Sequence, residues 1–166
     1  LSRLDSFIRR LEAQRACLDH SILLARDVRG AVLELGLGNG RTYDHLRERL
    51  GGGRVIYALD RQLGSHPDCM PSELLLGEFG DTLPALARRI GRSVALVHAD
   101  TGSGDEAASR AAARALPELL EPLLAEGALI VSDQDMAPGW EPLALPEGVA
   151  PGRYFIWRRS ANHSSA

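Results

Sequence analysis

Glycines 36, 38 and 40 occupy alternate positions in "LELGLGNGRT", between an apolar run that ends at Leu35 and a stretch of helical character that opens at Arg41. A sharp turn at a strand end needs permissive backbone angles, and a loop without side chains lets a ligand lie against main-chain atoms. In a dinucleotide fingerprint the third glycine lies five positions after the first, to admit a closely packed helix under a pyrophosphate. Here position 41 is arginine, and the third glycine comes one residue early. Glu34 sits two residues before Gly36, an awkward neighbour for a diphosphate and a useful one for a ligand bearing an ammonium group. Asp60, twenty residues after Gly40, ends the second apolar run, where an acid can accept hydrogen bonds from ribose hydroxyls. A later run ends in "VHADTGSGD", which offers His98 as a base titrating near neutrality and Asp100 as a group to orient a nucleophile.

The elements that must position these residues follow one rhythm. "AVLEL" at 31–35, "VIYAL" at 55–59, "VALV" at 94–97 and "ALIV" at 128–131 are short, nearly unbroken apolar runs, the pattern of strands covered on both faces in a parallel sheet. "LLL" at 74–76 makes a weaker strand. Between them lie "RTYDHLRERL", stopped by "GGG" at 51–53; "DTLPALARRIG", with Pro84 expected in its first turn; and the segment 104–127, where Pro117 is expected to kink or divide a helix. Alternating strands and helices give an open, doubly wound α/β sheet in a single domain. Residues 136–152 are rich in Pro and Gly and leave little room for a crossover helix, so "WEPLAL" and "RYFIWRR" read as antiparallel strands at a C-terminal edge. At the start, Leu4, Phe7, Ile8, Leu11, Leu18 and Ile22 recur at helical spacing, and Ser2 with Asp5 forms a capping pattern. We expect a helix over about residues 3–26 within an N-terminal segment, 1–29, that covers the site. The sheet domain spans 30–159, followed by a disordered tail at 160–166.

Composition narrows the functional classes. The chain has 166 residues, 45% hydrophobic and 25% charged, with a net charge of −3. That balance does not ask for nucleic acid or an anionic membrane. Cys17 and Cys69 are far apart and lack metal-ligand spacing, which fits a reducing, cytoplasmic setting. The opening segment is amphipathic rather than a signal peptide, and no apolar stretch is long enough to span a bilayer.

"ELGLGNG" resembles the first motif of class I S-adenosylmethionine-dependent methyltransferases, an acid followed by glycines at alternate positions. The resemblance covers about residues 30–159 in strand order and loop position and is sharpest in this motif. It implies a Rossmann-like fold, S-adenosyl-L-methionine as cofactor, and methyl transfer to a small-molecule acceptor. It also implies roles. Glu34 faces the methionine ammonium, Gly36, Gly38 and Gly40 form the turn beneath the ligand, and Arg41 and Thr42 reach its carboxylate. Asp60, with Arg61 beside it, holds the ribose, and Gly77, Glu78 and Phe79 supply an acid and an apolar wall for adenine. His98 and Asp100 are the catalytic candidates. The acids after the fourth and fifth strands are similar to a cation-dependent O-methyltransferase pattern, but His98 stands where that pattern has an acid and Gln134 where it has asparagine. A magnesium site is a minor alternative, and no metal ligand is assigned. A non-catalytic cofactor-binding module and, further off, an NAD-dependent oxidoreductase are the rival readings. The chain is too short for a separate acceptor-recognition domain, and a missing edge helix would leave an apolar face bare, so a homo-oligomer is expected.

Overall fold

A computed structural model describes residues 2–102, 105–137 and 139–160. The chain opens with α1 (Arg3–Leu24), then β1 (Ala31–Leu35), α2 (Arg41–Leu50), β2 (Ile56–Asp60), a 3-10 turn (Pro67–Cys69), β3 (Glu73–Leu76), α3 (Phe79–Ile90), β4 (Val94–Ala99), α4 (Glu106–Leu120), β5 (Leu124–Ser132), β6 (Glu141–Pro142) and β7 (Phe155–Arg158). The strands form one sheet in the order β3-β2-β1-β4-β5-β7-β6. The pairings from β3 through β5 are parallel, and β7 runs antiparallel to both β5 and β6. This is the Rossmann-like arrangement with an antiparallel C-terminal edge that the sequence pattern anticipates.

Period-two alternation sends successive strand residues to opposite faces, and the core divides accordingly. Leu33, Leu35 and Val97 pack with Leu83, Leu86, Leu116 and Leu120 of α3 and α4. Val32 and Leu96 pack on the other face with Cys17, Leu18 and Leu46 of α1 and α2 and with Tyr154 and Ile156. Each fully buried leucine contributes about 1.5–3 kcal/mol through removal of its side chain from water. Glu34 follows Val32, and His98 follows Leu96, so both project to the α1/α2 face. The β1–β4 register sets them directly opposite each other.

Three helix expectations are corrected. α3 begins at Phe79, two residues before the expected start, so Pro84 lies in its second turn. α4 runs through Pro117 as one helix and stops before Pro122, which has no amide hydrogen to continue the helical ladder. Residues 124–127, read as helix, belong to a longer β5 with a register irregularity against β4. α1 falls close to the expected span. Ser2 and Asp5 form the capping box, with Ser2 Oγ accepting from the Asp5 amide at 3.0 Å and Asp5 Oδ2 from the Ser2 amide at 2.9 Å. Only the C-terminal half is buried, however. Leu4, Phe7 and Ile8 remain 66%, 46% and 44% exposed, so half of the apolar stripe is uncovered. The C-terminal edge is pinned through Glu121, which accepts from Trp140 Nε1 at 2.9 Å and Arg159 Nε at 2.8 Å.

Candidate active site

The loop between β1 and α2 is glycine-rich for two different reasons. At Gly36 (φ +83°) a Cβ would lie 2.2 Å from the Asp100 carbonyl oxygen, and at Gly40 it would lie 2.7 Å from the Cys69 Cβ, so the chain itself crowds both positions. At Gly38 a Cβ would meet nothing within 4 Å. That middle glycine faces open space, and its left-handed φ of +52° accounts for the residue type. Asp60 ties the loop to the end of β2, with Oδ2 accepting from the Gly38 amide at 3.0 Å and Oδ1 from the Arg61 amide at 2.6 Å.

Beside this loop lies a cleft of about 280 Å³. Its walls come from Gly36 to Asn39, Arg41 and Thr42 on one side and Asp100 and Gly102 on another, with Arg10, Leu11 and Gln14 of α1 across the opening. Gln14 is buried, and its Nε2 donates to Asp100 Oδ2 at 2.7 Å, joining α1 to the end of β4. Gly40 at the start of α2 supplies no side-chain cap; Asn39 Oδ1 accepts from the Arg41 amide at 3.3 Å, and the next amides of the first turn have no intrahelical acceptor.

Behind the loop runs a closed chain of polar groups. Thr42 Oγ1 donates to Glu34 Oε1. Glu34 Oε2 pairs with His98 Nδ1 at 2.8 Å, and His98 Nε2 stands 3.3 Å from the Tyr154 hydroxyl. Neither the Glu34 nor the His98 side chain has any exposed surface. Burial pulls His98 toward its neutral form, but the charge and hydrogen bond of Glu34, with smaller contributions from Asp100 and Asp133, raise its pKa above the ordinary value. Burial, then Asp100 and Asp133, push the Tyr154 phenol well up. The Cys17 thiol, buried in the α1/α2 core, is pushed up to about 11 and stays an inert packing group.

The structure gathers Gly36, Gly38, Arg41, Thr42 and Asp100 around one cleft, with Asp60 bonded to the Gly38 amide, Glu34 fully buried behind the loop and Gly40 turned toward the 3-10 segment. His98 lies behind the cleft with both ring nitrogens engaged, not on its surface. Arg61, Gly77, Glu78 and Phe79 lie past Asp60, outside the cleft: the Gly77 amide donates to the Asp60 carbonyl at 3.0 Å, Glu78 Oε1 is 4.0 Å from Arg61 Nη1, and Phe79 opens α3 against the core. Gln14 and Tyr154 escaped sequence reasoning. Their signals are a polar break in the buried side of α1 and the period-two partnership of 154 with 156. Among the described residues no group of three His, Cys, Asp or Glu is placed to hold a metal ion.

The donor set suits an amphoteric ligand. Uncapped amides at the start of α2, with the guanidiniums of Arg10 and Arg41 on the cleft wall, match a carboxylate, while Asp100 matches a cation and Asp60 a diol.

Comparison with known proteins gives the same direction. A family model described as S-adenosyl-L-methionine methyltransferase matches residues 1–159. The chain is similar to the crystal structure of an S-adenosyl-L-methionine methyl transferase from Silicibacter pomeroyi DSS-3, with 48% identity, coverage of 96% of this chain and 99% of that one, and a TM-score of 0.90. Two further solved structures share the fold alone. TrmN from Thermus thermophilus is 17% identical over 89% of this chain and 52% of its own, with a TM-score of 0.61. A SAM dependent methyltransferase from Archaeoglobus fulgidus is 16% identical over 75% of this chain and 52% of its own, with a TM-score of 0.51. No curated protein matches the sequence.

Proposed function

We propose, from the premise that this chain belongs to the S-adenosyl-L-methionine methyltransferases, that it methylates a small-molecule acceptor brought to the mouth of the cleft between the glycine loop, α1 and the end of β4. The observation that carries this reading is the cleft itself, walled by the exposed face of Gly38, the start of α2 and Asp100. When bound, S-adenosyl-L-methionine supplies an activated methyl group on a sulfonium centre. Arg41, Arg10 and the amides of Thr42 and its neighbours hold the methionine carboxylate, and Asp100 faces the cationic part of the ligand. Asp60, already shaped by the Gly38 and Arg61 amides, accepts from the ribose hydroxyls. The Gly77 turn brings Glu78 and Phe79 to the adenine edge and face.

Glu34 and His98 act from behind. With both Glu34 oxygens engaged, the acid fixes Thr42 and hence the first turn of α2, and His98 is a positioning residue that holds Glu34 in place. The family match sets the nicotinamide reading aside, and Arg41 at the third-glycine position agrees with that. The net charge of −3 supports a small acceptor over a polynucleotide. The free thiols of Cys17 and Cys69 support a cytoplasmic setting. No helix of the described chain is long and apolar enough to cross a membrane.

The uncovered stripe of Leu4, Phe7 and Ile8 supports a homo-oligomer built by a second copy of α1. Antiparallel pairing about Phe7 and Ile8 sets Glu12 alongside Arg3 of the other copy, opposite charges at each end of the seam. Light scattering is expected to give at least a dimer mass, and Phe7→Asp a monomer; a monomer without the substitution removes this element. The activity is tested by incubating the protein with donor labelled in its methyl group and a panel of hydroxyl, amine, thiol and carboxylate acceptors. Label is expected in an acceptor, and Asp60→Asn lowers its transfer at donor concentrations near the Kd of the unmodified protein. Binding of donor with no transfer to any acceptor class would favour a cofactor-binding module.

A further inference from the structure

Two carboxylates meet where β4 and β5 end. Asp100 lines the cleft, with Oδ2 held by Gln14. Asp133 accepts at Oδ1 from the Thr101 amide at 3.3 Å and at Oδ2 from Gln134 Nε2 at 3.1 Å. The same Oδ2 lies 2.6 Å from where a Cβ on Gly102 would stand, and Gly102 is part of the cleft wall. On its other side Asp133 borders a second cavity of about 500 Å³, between the end of β5 and α4. Asp133 thus stands in the partition between the donor cleft and a space large enough for a small acceptor.

The surrounding charges make this partition responsive to the ligand. Burial, and then the charge of Asp100, raise the Asp133 pKa. From the interior, His98 is paired first with Glu34 and interacts more weakly with the charges of both aspartates, while the Tyr154 hydroxyl stays protonated; from the cleft side, Arg10 and Arg41 share the wall with Asp100. From the cavity side, Arg110, Arg114 and Glu106 of α4 and Asp135 are exposed groups whose charges water screens. Adjacent carboxylates favour sharing one proton. A sulfonium in the cleft supplies a positive charge and displaces that proton. Once the sulfur is a neutral thioether, the pair's affinity for a proton returns.

We propose that Asp133, backed by Asp100, is the carboxylate that accepts the acceptor's proton during methyl transfer. The acceptor's lone pair forms the new bond to the methyl carbon, the carbon–sulfur bond breaks with its electron pair left on sulfur, and the proton of the acceptor's X–H bond passes to a carboxylate oxygen of Asp133. The inference rests on the reading of the cleft as the donor site, and the test separates the two.

Calorimetric titration in buffers of different ionisation enthalpy counts the protons exchanged when S-adenosylmethionine or S-adenosylhomocysteine binds. The two ligands share ammonium, carboxylate and nucleoside, so their difference isolates the sulfonium charge. The sulfonium ligand is expected to release about half a proton more than the thioether at some pH between about 5 and 7. Asp133→Asn and Asp133→Ser, checked for an unchanged far-UV spectrum, remove one member of the pair and abolish the difference, while both ligands still bind within about threefold of their original affinity. Equal proton counts for the two ligands across that range in the unmodified protein overturn the proposal without any variant being needed, as does a difference that survives both substitutions. Failure of both ligands to bind overturns instead the reading of the cleft.

Discussion

Replacing His98 with leucine tests whether the polar chain behind the glycine loop is a unit. The substitution keeps approximate volume but leaves Glu34, which has no exposed surface, facing an apolar group where an imidazole stood 2.8 Å away. Breaking one half of a buried pair costs about 3–5 kcal/mol, because the remaining group loses its partner and cannot reach water. For a chain of this size each kcal/mol shifts Tm by about 2–4 °C, so His98→Leu is expected to lower it by about 6–20 °C. Removing both partners, in Glu34→Leu with His98→Leu, deletes the desolvated charges together and is expected to recover at least about 1 kcal/mol relative to the sum of the single changes. Circular dichroism melts and urea titrations of the four proteins measure the cycle. A His98→Leu cost under about 1 kcal/mol, or a double variant whose loss equals the sum of the singles, would refute the reasoning.

The same pair sets a pH dependence. The folded-state pKa of His98 is raised above 6.5, so its contribution is fully present below about that pH and is lost as pH rises through the folded value; urea titrations from about pH 6 to 9 are expected to show stability falling with pH, with that slope gone in His98→Leu. Gly36→Ala puts a methyl group 2.2 Å from the Asp100 carbonyl oxygen at a φ of +83°, and is expected to cost more than about 2 kcal/mol and abolish donor binding, whereas Gly38→Ala, in open space, costs about 1 kcal/mol. Asp60→Asn keeps the shape but loses charge-assisted bonds to two amides and to the sugar, so the donor Kd measured by calorimetry is expected to rise about 10- to 100-fold with Tm lowered only slightly.

Much of the architecture is visible in the chain because its determinants are local. "AVLEL", "VIYAL" and "VALV" are apolar on both faces, which only a covered parallel sheet tolerates, and β1, β2 and β4 stand where those runs fall. The glycine loop is equally legible in position, though not in reason, since Gly36 and Gly40 are required by segments 64 and 29 residues away at Asp100 and Cys69. The α1 stripe shows that periodicity reports an apolar face without saying what covers it. Glu34, His98 and Tyr154 meet only after β1, β4 and β7 take their register, and Gln14 meets Asp100 only because α1 packs across the strand ends. No spacing along the chain encodes such meetings. Asp60 stands beside the loop, bonded to the Gly38 amide, because one helix, one turn and one strand fix its distance from Gly40, and Asp133 was passed over as a proton acceptor because its partner lies on a different strand end.

The most direct measurement is a crystal structure of the protein with S-adenosylhomocysteine. The ligand is expected against Gly38, with its ribose hydroxyls on the Asp60 carboxylate and its methionine end between Arg41 and Asp100. A ligand seated elsewhere, or a ribose turned away from Asp60, would contradict the account.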